Sequence, residues 1–225
     1  MKGAKDLLCY VVISLLLCPV SACAKGADTE KGTMVKLPPV LGKGQTSLEE
    51  AIAGRRSVRS FKDREVPKDH ISKLLWSCQG VTNSALGLRA APSAGGIYPL
   101  EIYLADKEGV FHYIPRSHLL QPVKDSDIRM KLAEAAYGQR FVEEAPICIV
   151  ITAVISRMAK RYGDRAQRYV LMEIGHAAEN LHLQAVSLGL GSCPVGAFSD
   201  SRVKALIGLG KDEDPYYIIP IGYPN

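Results

Sequence analysis

The sequence has no long block of basic residues, no internal repeat and no low-complexity tract. Its net charge of +5 over 225 residues is mild and spread along the chain, which argues against nucleic acid as a partner. Cysteine-based metal motifs are missing as well, because no C-x-x-C occurs and no histidine lies at zinc-ligand spacing. With 47% hydrophobic and 23% charged residues, the chain has the composition of one ordinary globular domain with a proper core.

Residues 1–23 differ from the rest of the chain and resemble an export signal. Lys2 and Lys5 form a basic start, and residues 7–20 form the apolar run that follows it. That run is shorter than the roughly 20 apolar residues that a membrane-spanning helix needs, so a secretory signal peptide fits better. The alternative is an uncleaved anchor or a start codon assigned too early.

The end of this leader, Val20-Ser21-Ala22-Cys23, resembles a bacterial lipobox. Processing there would leave Cys23 as a lipidated N-terminus, so we expect an exported protein of the bacterial cell envelope, anchored to a membrane by lipid. Plain cleavage at the small-x-small sequence Ala22-Cys23-Ala24 is the alternative. Residues 24–44 are rich in Gly, Lys and Pro and are predicted to form a tether and an extended lead-in to one domain, residues 45–225.

Three of the six cysteines, Cys78, Cys148 and Cys193, belong to the predicted domain. Each lies in an apolar stretch, so we predict that they are small buried hydrophobic side chains. A disulfide between two of them is the alternative in an exported protein, and the sequence does not choose the pair.

Hydrophobic periodicity predicts helices interspersed with strands. Ser47 and Glu50 form a capping-box pattern at the start of a short helix, and Pro67 and Gly80 delimit a second helix. Further helices are predicted at 127–137, at 165–188 and at 202–207 with Asp200 as the cap, and strands at 102–105, 110–114, 147–152 and 216–221.

The long predicted helix carries Glu173-x-x-His176 and Glu179-x-x-His182, which suggest a di-metal carboxylate site at first sight. Such sites take Glu-x-x-His pairs from two facing helices and two further glutamates. Steps of three residues drift by about 60° around a helix, so Glu173 and His182 are predicted on opposite faces. No metal site is therefore expected.

Three cationic side chains and a hydroxyl follow the first helix, in the run Arg55-Arg56-Ser57-Val58-Arg59. Planar guanidinium groups and a hydroxyl together suit phosphate oxygens. A solvated basic end that complements the helix dipole is the alternative, since that role needs only charge. The run indicates a phosphate ligand without saying which molecule carries it.

Two further stretches are rich in small residues. In residues 90–101, Gly95 and Gly96 let the backbone approach something flat and bulky, and free N–H groups there could bind it. The second stretch, Cys193-Pro194-Val195-Gly196, follows the long helix. A turn into a strand and a strand exit are the respective alternatives.

Together these stretches resemble the signatures of the FMN-dependent nitroreductase family. The run from Arg55 to Phe61 is similar to the family's opening motif, and residues 92–101 match the Pro-Ser-x-Gly-x-x-Tyr-Pro-Leu-Glu signature of its SagB/thiazole-oxidase branch. That branch comprises dehydrogenases that aromatise azolines in peptides, and many stand-alone relatives. Residues 173–198 resemble a third family motif, and the resemblance covers about residues 37–225.

The resemblance implies an α+β, three-layer fold, a mixed β-sheet flanked by helices, in a homodimer with FMN at its interface. It also assigns roles to residues of this chain. The FMN phosphate would be held by Arg55, Arg56, Ser57 and Arg59. The flavin of the partner subunit would be covered by Pro92, Ser93, Ala94, Gly95 and Gly96. A backbone amide that faces the flavin N5 would belong to Val195 or Gly196.

Arg161-Tyr162 lies where the azoline dehydrogenases of the branch carry a Lys-Tyr pair that moves the substrate proton. Arginine stays protonated and cannot be the base, which leaves Tyr162 as a proton relay or as a plain packing residue. The resemblance thus implies an oxidoreductase that transfers hydride between a small-molecule or peptide substrate and flavin N5. The alternatives are an NAD(P)H-dependent nitro- or quinone-reductase and a non-catalytic flavin-binding envelope protein.

Overall fold

The computed structural model of the protein describes residues 32–40 and 44–225. The predicted leader, Cys23 and tether residues 24–31 lie outside the described residues. Within the described part, no helix combines the length and the apolar character that a membrane crossing requires.

The described part of the chain contains seven α-helices and nine strands. The helices are α1 (Leu48–Gly54), α2 (Lys68–Gln79), α3 (Arg129–Ala135), α4 (Phe141–Glu144), α5 (Ile155–Tyr162), α6 (Ala166–Ser187) and α7 (Asp200–Ile207). The strands are β1 (Val35–Lys36), β2 (Val81–Asn83), β3 (Leu88–Arg89), β4 (Leu100–Ala105), β5 (Val110–Ile114), β6 (Leu119–Lys124), β7 (Ile147–Ala153), β8 (Gly191–Ser192) and β9 (Asp214–Gly222).

Seven strands form one sheet in the order β1-β6-β5-β4-β7-β9-β8, and β2 and β3 form a separate hairpin. Every pairing between neighbouring strands of the large sheet is antiparallel. A parallel component comes from an isolated bridge between Ser57 and Ser192. The chain after α1 therefore runs alongside β8, at one edge of the sheet.

Strand β7 lies inside the sheet, between β4 and β9, and is buried along its whole length. Because side chains alternate along a strand, Ile149 and Ile151 point into one core with α2 and α6. Cys148 and Val150 point into a second core with α3 and α7. The molecule thus has three layers, with the sheet between two helical layers, and the predicted α+β architecture is confirmed.

Most predicted elements are present, with small shifts of their ends. The capping box at α1 is confirmed, because the Ser47 hydroxyl accepts from the Glu50 N–H and the Glu50 carboxylate accepts from the Ser47 N–H. The predicted cap of α7 is wrong. Asp200 lies in the first turn of that helix, and Ser199 occupies the N-cap position without a side-chain hydrogen bond.

The three cysteines of the domain are buried and free. The prediction that they are small hydrophobic side chains is confirmed, and the alternative of a disulfide between two of them is not realised. Burial also raises the pKa of the Cys78 and Cys148 thiols well above their usual value, so both stay protonated.

Candidate functional site

The arginine run leaves α1 as extended chain and lies directly against β8. The Val58 N–H donates to the Ser192 carbonyl over 3.0 Å, and Ser57 pairs with Ser192. A Cβ at Gly191 would lie 2.6 Å from the Val58 side chain, so only glycine allows this close approach. The fold thereby places the predicted phosphate donors beside residues 191–196.

The three arginines of the run have different surroundings. Arg56 is exposed, but its guanidinium donates to the carbonyls of Ala53 (3.1 Å) and Arg55 (2.7 Å), so it caps the end of α1. Arg59 is exposed, with its guanidinium 5.8 Å from the centre of the Phe141 ring. Arg55 is half-buried, and its Nε lies 3.8 Å from the Glu179 carboxylate. Arg55, Arg59 and the exposed Ser57 hydroxyl are therefore the donors best placed for an anion.

Neutral groups lie next to the predicted phosphate donors. His182 is buried, its Nδ1 lies 2.5 Å from the Ser192 hydroxyl, and burial followed by the charge of Arg55 lowers the pKa of His182 to about 4. Burial also raises the pKa of the Cys193 thiol, against the smaller opposing effects of Arg59 and of a hydrogen bond with Ser57. Both side chains are thus uncharged at neutral pH, and neither offsets the positive charge of the arginines.

The Pro-Val-Gly turn follows β8 and contains Val195 and Gly196, whose amides are the two candidates predicted to face the flavin. Their hydrogen bonds differ. The Val195 N–H donates to the Ile218 carbonyl over 2.8 Å, and the Ile218 N–H returns a bond to Val195. The Val195 amide is therefore committed to the sheet. Gly196 is exposed, and its N–H has no hydrogen-bond partner within residues 32–40 and 44–225. Of the two amides, only that of Gly196 is free to donate to a ligand.

Loop 90–96 is anchored on its own chain. The Ala90 N–H donates to the Gly80 carbonyl, and the Ala90 carbonyl accepts from the Asn180 side chain at 3.4 Å. Residues Ala94–Gly96 form a 3₁₀ turn in which Gly95 and Gly96 have φ of +64° and +66°, a conformation that suits glycine. Within the loop, Pro92, Gly95 and Gly96 are exposed, and Ser93 and Ala94 are half-buried.

Tyr162 lies against this loop. A Cβ on Gly95 would be 2.7 Å from the Tyr162 hydroxyl and 2.8 Å from an Arg161 guanidinium nitrogen. The Tyr162 ring packs edge-on against Tyr169, with ring centres 5.0 Å apart. The structure therefore brings the predicted proton relay and the predicted cofactor cover together.

The predicted site residues thus lie in two groups within the chain, and α6 contacts both groups. The arginine run contacts residues 191–196 and meets α6 at Glu179, while loop 90–96 meets the neighbouring Asn180. An open groove of about 1050 Å³ lies between α1, α2 and α6, next to Asn180. None of the predicted phosphate or loop 91–96 residues lines that groove, so it is not the anion site.

Sequence reasoning missed a residue that supports the Pro-Val-Gly turn. The Gln139 side-chain amide donates to the Ala197 carbonyl over 3.2 Å and to the Ala136 carbonyl over 2.9 Å. It thereby ties the loop between α3 and α4 to the segment that follows Gly196. No local pattern in the sequence could have indicated this contact, since the residues are far apart in the chain.

Alanine substitutions at the two loop glycines are expected to differ. Both impose a positive φ on alanine, a cost of about 1–2 kcal/mol, but only Gly95→Ala also presses on Tyr162. At Gly96 the nearest neighbour of a new Cβ is a Tyr98 ring atom 4.0 Å away, so Gly96→Ala is the matched control. We expect Gly95→Ala to lose roughly 1 kcal/mol or more of additional unfolding free energy in urea titrations. Equal losses would contradict the contact with Tyr162.

Comparisons with known proteins find relatives that extend over most of this chain. The sequence model of the nitroreductase family matches residues 52–223. The protein named "Putative nitroreductase" of Methanocaldococcus jannaschii is 38% identical over 194 residues, which cover 84% of this chain and 95% of that protein. The crystal structure of a protein with the same description from Ralstonia eutropha JMP134 superimposes with a TM-score of 0.78 at 30% identity, covering 85% of this chain and 90% of the other.

A more distant relative is named as a processing protein. The microcin B17-processing protein McbC of Escherichia coli is 26% identical over 150 residues, which cover 62% of this chain and 55% of McbC. The family match and the archaeal relative both extend over most of the chain. This chain belongs to the nitroreductase family of oxidoreductases.

Proposed function

We propose that this protein is an FMN-dependent oxidoreductase of the SagB-like branch, which transfers hydride between a small-molecule or peptide substrate and flavin N5. One observation carries the cofactor assignment. The pairing of Ser57 with Ser192 places exposed arginine donors beside a turn whose Gly196 N–H is free. A phosphate group and the ring system of one molecule could occupy these two positions.

The residues present fit a flavin mononucleotide. Arg55, Ser57 and Arg59 would hold the phosphate, because Ser57 and Arg59 are exposed, Arg55 is half-buried, and the nearby His182 and Cys193 are neutral. The Gly196 amide would donate to the ring system. The cofactor, when bound, supplies hydride transfer, and the protein supplies orientation and access. Tyr162 would exchange a proton with the substrate beside loop 90–96.

Two features support the SagB-like branch over other branches. The Pro-Ser-x-Gly-x-x-Tyr-Pro-Leu-Glu stretch at 92–101 matches that branch, and McbC is among the similar proteins. The expected export of the protein is the second support, because NAD(P)H is not supplied outside the cytoplasm. A dehydrogenase that takes hydride from its own substrate needs no nicotinamide.

The alternative of an NAD(P)H-dependent nitro- or quinone-reductase is favoured by the name of the archaeal relative. A non-catalytic flavin-binding protein is favoured by Arg161, which stands where the branch has a lysine. Anaerobic addition of NADH and NADPH to the flavin-loaded protein separates these functions. Rapid bleaching of the flavin absorbance by either nucleotide would contradict the proposal, whereas reduction by a hydride-donating substrate alone would support it.

We further propose that the protein is a C2 homodimer with two shared sites. Exposed apolar side chains support a partner surface, namely Leu48 (61% exposed) and Ile52 (56%) on α1 and Leu171 (49%) and Met172 (48%) on α6. Helices α1 and α6 pack against each other, so these side chains belong to neighbouring elements. Covering such surface stabilises an assembly, and C2 is the commonest symmetry of soluble oligomers.

Light scattering of the protein without its leader should therefore give twice the chain mass. Leu171→Glu is expected to yield monomers, because a charge in an apolar interface is costly. Leu86→Glu, at the exposed tip of the β2–β3 hairpin, is the control that should stay dimeric. A wild-type monomer that held one FMN per chain would contradict the proposed assembly.

Export and lipidation at Cys23 complete the proposal. Stable membrane binding takes more than one acyl chain, which a bacterial lipoprotein N-terminus provides. Cys23→Ser is expected to move the protein from the membrane fraction to the soluble fraction and to lower its mass by the lipid. Unchanged fractionation and unchanged mass would contradict lipidation.

A further inference from the structure

A buried polar cluster lies beneath loop 90–96. It comprises Gln79 at the end of α2, Arg89 on β3, Ser93 and Tyr98 from the loop region, and Glu173 on α6, and is called the Glu173 cluster below. Glu173 is 2% exposed and Gln79 is fully buried. Carboxylates are rarely buried so completely unless they are paired, so this glutamate calls for an explanation.

The well-formed hydrogen bonds of the cluster join residues other than Glu173. Arg89 donates to the Gln79 side-chain oxygen over 3.1 Å, and its guanidinium lies 4.7 Å from the centre of the Tyr98 ring. The Tyr98 N–H donates to the Ser93 hydroxyl oxygen over 2.9 Å. Both Glu173 oxygens and the Gln79 side-chain nitrogen are buried without a well-formed hydrogen bond. A full negative charge on Glu173 is therefore poorly compensated.

The surroundings shift the proton equilibrium of this carboxyl group. Burial raises the pKa of Glu173 from 4.5 to about 7, against the smaller lowering effects of Ser93, Gln79 and Arg89. Arg89 is the charged group that faces Glu173. Burial lowers the pKa of Arg89, the charges of Glu101 and Glu173 act to raise it, and the nearby cation Arg157 acts with burial to lower it. Burial dominates, so the proton is retained to a much higher pH than in water.

Loop 90–96 is part of what buries the carboxyl group. Ser93 lies close enough for its hydroxyl to act on Glu173, and the following two residues, Ala94 and Gly95, lead to the contact with Tyr162. Lifting the loop would admit water to Glu173 and return its proton affinity toward the ordinary value. Closed loop and bound proton must therefore favour each other, since such linkage is reciprocal.

We propose that Glu173 is a positioning residue for loop 90–96, which lies closed over the site while Glu173 carries its proton and is released when that proton is lost. This inference rests on the proposed function in one respect only, namely that the loop covers a cofactor. Closure is fully favoured below the pKa of the hydrated carboxyl group. It is weakened as the pH rises through about 7.

Hydrogen exchange of the flavin-free protein between about pH 5.5 and 8.5 tests this inference. The Gly96 and Tyr98 amides, which bond to Ser93, report on the loop. A rise of the pKa from 4.5 to about 7 corresponds at most to a roughly 300-fold change in the closing equilibrium. After correction for the intrinsic exchange rate, we expect protection to fall at least about tenfold across this range. Protection that does not change with pH would overturn the proposal.

Glu173→Gln should keep the protection of the acidic wild type at every pH, because glutamine has the shape of the protonated side chain and does not titrate. Glu143→Gln, at an exposed position of α4, should leave the pH dependence unchanged. A Glu173→Gln variant with the wild-type pH dependence would contradict the assignment. Carbon NMR of the wild-type Glu173 carboxyl group gives a check without any variant, and titration below about pH 5.5 would overturn it.

Failure of this inference is distinguishable from failure of the proposed function. The exchange experiment contains no flavin, so its outcome does not depend on cofactor binding. FMN titration of the same preparation tests the cofactor assignment separately. His182 does not interfere with either reading, because its pKa of about 4 lies below the tested range.

Discussion

Replacing Arg55 and Arg59 together with alanine is expected to weaken FMN binding at least about 100-fold while leaving a folded protein. Each charge-assisted hydrogen bond to a phosphate contributes roughly 1.5–3 kcal/mol, so the pair should contribute about 3–6 kcal/mol. The fold should survive, because the extended run is held by its own backbone, through the hydrogen bond from the Val58 N–H to the Ser192 carbonyl. Titration of flavin fluorescence measures the affinity, and circular dichroism measures the fold.

Two single variants sharpen this experiment. Arg56→Ala should weaken FMN binding less than Arg55→Ala or Arg59→Ala does, since the Arg56 guanidinium already donates to the Ala53 and Arg55 carbonyls. Arg202→Ala, which removes a surface partner of Glu134, should leave the affinity unchanged. An affinity of the double variant within about twofold of the wild type, far below the contribution expected of charged hydrogen bonds, would refute the phosphate assignment.

Tyr162→Phe is expected to retain FMN and fold but to slow flavin reduction by the substrate at least tenfold. The hydroxyl that is removed lies at Gly95, in the group of residues that would cover the cofactor. A proton relay is typically worth 10²–10⁴-fold in rate, so tenfold is a conservative expectation. Stopped-flow absorbance under anaerobic conditions, with any substrate that reduces the flavin, measures the rate.

Tyr169→Phe is the matched control for this variant. The two rings pack edge-on, and each phenylalanine keeps that packing while removing one hydroxyl. We expect the Tyr169→Phe rate to stay within about twofold of the wild type, outside the range of a proton-transfer defect. An unchanged rate in Tyr162→Phe would assign Tyr162 to packing and favour the nicotinamide-driven alternative, in which hydride arrives without a protein base.

The fold could be predicted where local signals are strong. The capping box at Ser47 located α1, and the 3–4 spacing of apolar residues located α6 to within two residues at either end. Strand β6 was missed, since Pro122 within its span argues against a central strand. Helix α5 was missed because it begins directly after β7 and has no side-chain cap.

The sequence predicts the individual segments of the candidate site, but it does not predict how they contact one another. The arginine run, loop 90–96 and the Pro-Val-Gly turn each carry a local signature, whereas the contact of Ser57 with Ser192 depends on the tertiary fold. The same holds for the choice between Val195 and Gly196, which the hydrogen bonds of Ile218 decide. Sequence patterns do not encode register between distant segments.

Periodicity placed Glu173 and His182 on opposite faces of α6, and the structure buries both. Helix α6 packs against α2, α5 and α1, so it has more than one buried face. His182 then supports the arginine run through Ser192, and Glu173 lies under loop 90–96. Neither role could be inferred from spacing, because it depends on which neighbours enclose the helix.

The absorbance spectrum of the purified protein without its leader, combined with its FMN content, tests the central claim most directly. We expect a yellow protein that contains one FMN per chain, directly or after reconstitution with excess FMN, and that loses it on replacement of Arg55 and Arg59. A folded, colourless protein that takes up no FMN on reconstitution would refute FMN as the cofactor.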